Sequence, residues 1–195
     1  RSRVVRLEFQ AKERAGREPY QRLMVLAVYG HSGEHRSTAT GDLLSAVATQ
    51  VKKFKEKYPL GMVVLAGDID AASDSWLDTD RVTQGRAGAR EHDAGVLDSI
   101  AGMGLTDVFR ALHPKVKAWT RHEGVVTQGH STRRRLDYVF CTQELANHTV
   151  TRVGIHEVET VRSDHKKVVV DLPVNIAGLA GAAVPVWPAH TQVKL

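Results

Sequence analysis

A single cysteine, Cys141, among 195 residues leaves no partner for an internal disulfide, which fits a reducing compartment. The ten histidines fall into no C-x-x-C or H-E-x-x-H spacing, which argues against a zinc site of the usual kinds. No run of 18 apolar residues occurs, so no stretch is long and apolar enough to cross a membrane as a helix. Neither the apolar core nor the cleavage site of a signal peptide follows Arg1. No internal repeat is present. What remains is a chain of 21.4 kDa with 42% hydrophobic and 25% charged residues. That composition suits one packed domain and excludes wholesale disorder. Twenty-seven Lys and Arg against 22 Asp and Glu leave a net charge of +5, which makes a polyanionic partner plausible without identifying it.

Val4 to Phe9 alternates as a strand does, and Arg22 to Tyr29 is a mostly apolar run rich in strand formers, joined to it by a charged, hairpin-like connection. The stretch GHSGEHRSTATGD reads as a loop. Leu43, Leu44, Val47, Val51, Phe54 and Tyr58 then recur at helical steps, and Pro59 marks the stop. Gly61 to Ala66 is apolar throughout and reads as a buried central strand ending at Gly67 and Asp68. Ala71 to Arg90 reads as a surface excursion, His92 to Gly102 as a second helix, and Val108 to Leu112 and Val116 to Thr120 as short elements. Arg121 to Arg134 reads as a polar loop, followed by strands at Leu136 to Cys141, Thr149 to Ile155 and Lys166 to Leu172. Strands mixed with two helices predict a layered domain over residues 1–172. Residues 173–195 form a tail or linker to which no structure is assigned.

Three motifs carry candidate chemistry. In Gly67-Asp68-Ile69-Asp70, alternation past a buried strand predicts that Asp68 and Asp70 present two carboxylates together. Such a pair is relieved by a divalent metal, which can activate water for attack on phosphorus; the alternative is a turn capped by aspartates. Ser163-Asp164-His165 precedes the last strand, and Arg135-Leu136-Asp137-Tyr138 begins an earlier one. An Asp and a His so placed can pair, the carboxylate fixing the imidazole tautomer and stabilising its charged form; each alone is equally readable as a polar group satisfied at a strand end.

Taken in order, a Tyr ending an apolar strand, G-D-x-D, L-x-D-x-x-R, W-T, R-L-D-Y and S-D-H resemble the endonuclease/exonuclease/phosphatase family. This is the fold of abasic-site endonucleases and pancreatic-type deoxyribonuclease. The stretch LTDVFRALHPKVKAWTRHE…STRRRLDYVF looks particularly like the endonuclease domains of non-LTR retrotransposons. The resemblance covers Val4 to Leu172. It implies an α+β fold, a layered sandwich of mixed and antiparallel sheets flanked by helices. It also implies a Mg²⁺-dependent phosphodiester hydrolase (with Mn²⁺ as a substitute) that nicks DNA by in-line attack of water, and a nuclear location for a retrotransposon-derived chain.

Residue by residue, the resemblance implies that Asp68 orients or deprotonates the water and that Asp164 is the metal-associated carboxylate. His165 contacts the phosphate and pairs with Asp137, Tyr29 reaches the phosphate, and Thr120 lies at or near the substrate as a support. Asp70 stands where the family has Asn, and Gly30-His31-Ser32 stands where it has Pro-Asn, leaving Ser32 as the polar contact there. The family's first-strand Asn and metal-binding Glu have no counterpart, so the chain reads as lacking the initial strands. It is then expected to associate with such a segment or with another chain. Two other readings stay open. One is a catalytically impaired module that binds nucleic acid or assembles; the other is a lipid or nucleotide phosphodiester as substrate.

Among the basic residues, Lys52, Lys53, Lys55 and Lys57 read as a solvated helix face. Arg121, Arg133, Arg134, Arg135, Lys166 and Lys167 read as contacts to a phosphate backbone. Cys141 reads as a small buried hydrophobe, and Trp187 falls in the unassigned tail.

Overall fold

The computed structural model describes residues 3–10, 22–30, 36–72, 76–81, 91–123, 132–148, 152–158 and 163–171. Ser32, Trp187 and the tail lie outside them.

Strand β1 (Arg3–Gln10) pairs antiparallel with β2 (Arg22–Tyr29), Arg3 opposite Tyr29 and Gln10 opposite Arg22. Helix α1 (Arg36–Lys57) then crosses over, so that β3 (Met62–Asp68) lies parallel to β2, as a helix connection allows. Two later strands complete the main sheet antiparallel to their neighbours: β8 (Asp137–Thr142) beside β3, and β5 (Leu105–Asp107) beside β8. The order is β1-β2-β3-β8-β5.

The centre of the sheet is covered on both faces, which is why β2 and β3 read as near-continuous apolar runs. On one face Met24, Leu26, Val63 and Leu65 pack against Leu43, Val47, Val51 and Phe54 of α1 and against Val96 and Ile100 of α2 (Glu91–Gly102). On the other, Leu23, Val64 and Cys141 meet Val108 and Phe109 of α3 (Val108–Leu112) and Leu145 of α4 (Gln143–His148). Val153 of β9 (Arg152–His156) belongs to the same cluster, and Val168 and Val170 of β10 (Lys167–Asp171) pack on it. Strands β9 and β10 form an antiparallel pair, and β4 (Thr79–Arg81), β7 (Thr132–Arg134) and β6 (Arg121–Glu123) make a third sheet in the order β4-β7-β6. The result is the layered α/β sandwich that the motif order implied.

Several boundaries differ from the expectations. Helix α1 starts at Arg36, not Leu43, because Thr40 is buried against the core; tertiary packing overrides the poor helix propensity of Ser, Thr and Gly. The excursion after Ala71 is not all surface: Ala71, Ala72 and Asp78 are buried and Thr79–Arg81 is a strand. Both ends of the expected 121–134 loop are strands, and β5 and α4 carried too few residues to show a periodicity. Val116 to Thr120 forms no regular element, but Ala118 N–H donates to the Leu77 carbonyl and Thr120 N–H to that of Arg134. Of the helix lysines, Lys52, Lys53 and Lys57 are exposed as expected, whereas Lys55 donates to the Gly61 carbonyl at 3.0 Å.

Gly67 sits where β3 approaches β2 most closely. Its φ is +139°, and a Cβ there would lie 1.9 Å from the Val28 carbonyl oxygen. Gly95, exposed in α2, has no atom within 4 Å of its Cβ position. Gly67→Ala is expected to lose several kcal/mol of stability by strain and lost strand pairing, while Gly95→Ala gains about 0.5–1 kcal/mol. Urea denaturation of both variants checks this; a Gly67→Ala protein as stable as the parent would refute the close approach.

Candidate active site

Asp68 is the last residue of β3, and the register sets it opposite Asp137, the first residue of β8, with Tyr29 on its other side. Directly opposed residues share a face of the sheet, so the fold places two acids side by side at one sheet end. Both are buried.

The start of β8 is pinned by Thr120, which is fully buried. Its Oγ1 accepts from Leu136 N–H at 2.9 Å and from Asp137 N–H at 3.0 Å. The 163–166 segment is laid alongside β6: Arg121 bridges to His165, His122 N–H donates to the Asp164 carbonyl, and Lys166 N–H donates to that of Thr120. This added pairing delivers His165, whose Nδ1 lies 2.8 Å from Asp137 Oδ2. Asp68, Asp137 and His165 each offer one ligand atom within 4.8 Å of the others.

The electrostatics separate the three groups. Burial, followed by the Asp137 charge, pushes Asp68 up to about 6. The hydrogen bond that the His165 imidazole donates to Asp137 raises it above its ordinary value. Asp68 Oδ1 accepts the N–H of Asp70 at 2.8 Å, and Asp70 adopts φ +53°, a left-handed conformation that Asp tolerates. The two aspartates therefore do not continue strand alternation as expected; the chain turns at Asp70, as in the capped-turn alternative.

Asp137 Oδ1 is buried without a partner among the described residues. Two carboxylates, one holding an uncommitted oxygen, suit a hard divalent cation that takes oxygen ligands and water. His165 Nδ1 is already engaged by Asp137, so Asp68 and Asp137 are the residues that would hold such an ion.

Three expectations about site residues change. Asp164, expected to bind metal, is 57% exposed and bonded by Arg121 Nε at 3.0 Å. Burial works to raise it, but the Arg121 hydrogen bond and its allies prevail and hold it below the ordinary carboxylate value. Thr120 is too deep to touch a substrate and acts on the backbone instead. Arg135, expected on a phosphate backbone, is 1% exposed. Its Nε donates to Asp78 Oδ1 at 2.7 Å and its Nη2 to Asp107 Oδ2 at 2.7 Å. Tyr29 is beside Asp68 and half exposed, while Ser32 lies outside the described residues. Arg121 keeps a position near the site, in the wall of an open pocket next to His165.

Asp78, Asp107 and Arg110 had been given no role. Arg110 also pairs with Asp78 and donates to the carbonyls of His113 and Val116, and Asp107 caps α3 by accepting Arg110 N–H. A lone Asp in a polar stretch gives no signal of burial; the usable clue was that L-x-D-x-x-R supplies both charges of such a network.

A main sheet covered by α1 and α2 on one face and by α3, α4 and the β9–β10 pair on the other is an α/β sandwich of the deoxyribonuclease-I type. No protein-family model matches the sequence, and no curated protein matches it. Among solved structures, the chain is similar to the catalytic domain of APE2 from Xenopus laevis, with 20% identity over 87% of this chain and 55% of that one and a TM-score of 0.69. It is similar to an AP endonuclease from Archaeoglobus fulgidus, with 18% identity over 80% and 65% and a TM-score of 0.59. It is also similar to a variant of the 3′ phosphatase NExo from Neisseria bound to a product DNA hairpin, with 19% identity over 77% and 61% and a TM-score of 0.59. The chain thus spans 55–65% of the length of these structures and shares their fold.

A folded-state value near 6 against the ordinary 3.8 means that ionising Asp68 costs stability as pH rises through that window. In chelator, Asp68→Asn is expected to be more stable than the parent above pH 6, by on the order of 2 kcal/mol, with the gain vanishing below about pH 4. Thermal melts across pH check the sign, and no gain at pH 8 would refute the burial of a charged Asp68. Arg135→Met leaves Asp78 buried without its main partner and is expected to cost about 3–5 kcal/mol, against about 0.5 or less for Arg133→Ala, by urea denaturation.

Proposed function

We propose that the chain is a phosphodiester hydrolase acting on DNA, nicking one strand by in-line attack of water in the manner of retrotransposon-type endonuclease domains. The observation that carries this reading is the convergence of Asp68 with the Asp137–His165 pair at one sheet end. Asp68, whose proton affinity without an ion is raised by burial and Asp137, is the carboxylate placed to orient an attacking water and take its proton. His165, kept protonated to higher pH by Asp137, places positive charge where a phosphorane oxygen becomes negative. Asp137 fixes the tautomer by accepting the Nδ1 proton, which leaves Nε2 as the ring's other donor. Tyr29, half exposed beside Asp68, extends the reach toward a phosphate. Asp68 and Asp137 would hold Mg²⁺ or Mn²⁺, which supplies charge neutralisation and a more acidic water when bound. The DNA hairpin held by the Neisseria protein of the same fold and the basic charge balance favour nucleic acid as substrate.

The second reading is a catalytically impaired module that binds nucleic acid, favoured by the Arg121 hold on Asp164 and by an acid, Asp70, in place of the family's Asn. Incubating supercoiled plasmid with the chain and Mg²⁺ or Mn²⁺ separates the two. Hydrolysis predicts nicked circles, with Asp68→Ala and His165→Ala each about 10²–10⁴-fold slower. Parent and Asp68→Ala proteins that are equally inert would leave the binding module as the reading.

A further inference from the structure

Beside His165 lies an open pocket of about 390 Å³ walled by Trp119, Arg121, Arg133, Glu157, Asp164 and Lys166, a size that suits a small ligand. Its origin is local. Thr120 is held inside by Leu136 and Asp137, and its neighbours Trp119 and Arg121 line the pocket. The β6–β7 register sets His122 opposite Arg133, and the Arg133 guanidinium lies over the Trp119 ring, 5.3 Å from its centroid.

Three cations face two acids. Arg121 is bonded to Asp164 and Lys166 to Glu157 at 2.7 Å, while no carboxylate among the described residues pairs with Arg133. The pocket therefore carries excess positive charge beside a flat stacked platform. Trp119 Nε1 and His122 Nε2 are buried behind this wall without a partner among the described residues.

We propose that this pocket receives one nucleotide flanking the reacting phosphate, its base stacked on the Arg133–Trp119 pair and its own phosphate taken by Lys166 and Arg121. The proposal rests on the DNA reading above and adds a base contact to it. His165 belongs both to the pocket wall and to the Asp137 pair, which makes the two positions contiguous. Stacking on an aromatic or a guanidinium plane is tolerant of base identity, so the contact confers hold and register but little sequence preference.

The test compares a labelled thymidine oligonucleotide with a backbone of the same length and charge that lacks bases, both bound to the full chain in chelator and read by fluorescence anisotropy. The parent is expected to bind the base-bearing strand about tenfold more tightly. Trp119→Leu and Arg133→Ala are expected to lose that preference, Trp119→Phe to keep it, and Lys166→Ala to weaken both ligands alike with a shallower salt dependence. Equal binding of the two ligands by the parent, or a preference that survives in Trp119→Leu and Arg133→Ala, overturns the pocket. If the parent nevertheless nicks plasmid in an Asp68-dependent way, the proposed function stands without it; binding of neither ligand overturns the pocket and counts against DNA as substrate.

Discussion

The buried guanidinium of Arg135 is the constraint around which the site is assembled. It is shielded from water, so its charge must be met inside the protein, and it is met by Asp78 ahead of β4 and Asp107 at the cap of α3. An unmatched charge at that depth costs several kcal/mol, so these three points of the chain are held in one arrangement. Backbone bonds run in parallel with the ionic ones: Arg135 N–H donates to the Asp78 carbonyl, and the Tyr138 hydroxyl donates to the Arg135 carbonyl or that of Ala71. One residue after Arg135 the chain enters the grip of Thr120. Asp137 thus owes its position to two restraints, a charge lock before it and a hydroxyl that takes its own N–H, and His165 owes its position to Asp137.

The same arrangement keeps the site under electrostatic tension. Asp68 and Asp137 are strand neighbours, both buried, yet their surroundings differ. Asp137 has an imidazole on one oxygen, while Asp68 has the N–H of Asp70. Burial and the Asp137 charge raise the proton affinity of Asp68, while the carboxylate of Asp137 raises that of the histidine it is bonded to. Packing on the other side of the sheet, where α1 and α2 contribute seven side chains to a cluster of 17 buried residues, supplies stability that this unfavourable pair draws down.

Much of this was legible in the sequence where residue type and order both carry information. Asp68, Asp137 and His165 stand in short motifs tied to strand ends, and the strands that carry Asp68 and Asp137 are long enough to show their pattern. Arg135 was not legible, because three consecutive arginines look alike until the sheet is known. Arg133 and Arg134 lie in β7, flanked by strands on both edges, whereas Arg135 leaves that sheet and turns inward. Thr120 is not legible as a backbone support, since a hydroxyl that serves backbone amides looks in sequence like one that serves a ligand. Strands of three residues such as β4, β6 and β7 are set by pairing alone, and no periodicity can announce them.

The covering of the main sheet explains how Asp68 is both desolvated and close to solvent. Leu23, Val25, Ala27 and Tyr29 alternate onto one face of β2, with Val64 and Asp68 beside them on β3 and Cys141 and Asp137 on β8. Over β3 and β8 this face is closed by α3, α4 and the β9–β10 pair. Over β1, among the described residues, it is not: Val5 and Leu7, opposite Ala27 and Val25, are 56% and 45% exposed. The acids therefore stand at the boundary between a closed and an open half of one sheet face. The closed half removes the water that would lower the Asp68 proton affinity, and the open half begins at Tyr29, one strand away. The base proposed at Asp68 needs both conditions, and a site sunk wholly under the covering elements would have only the first.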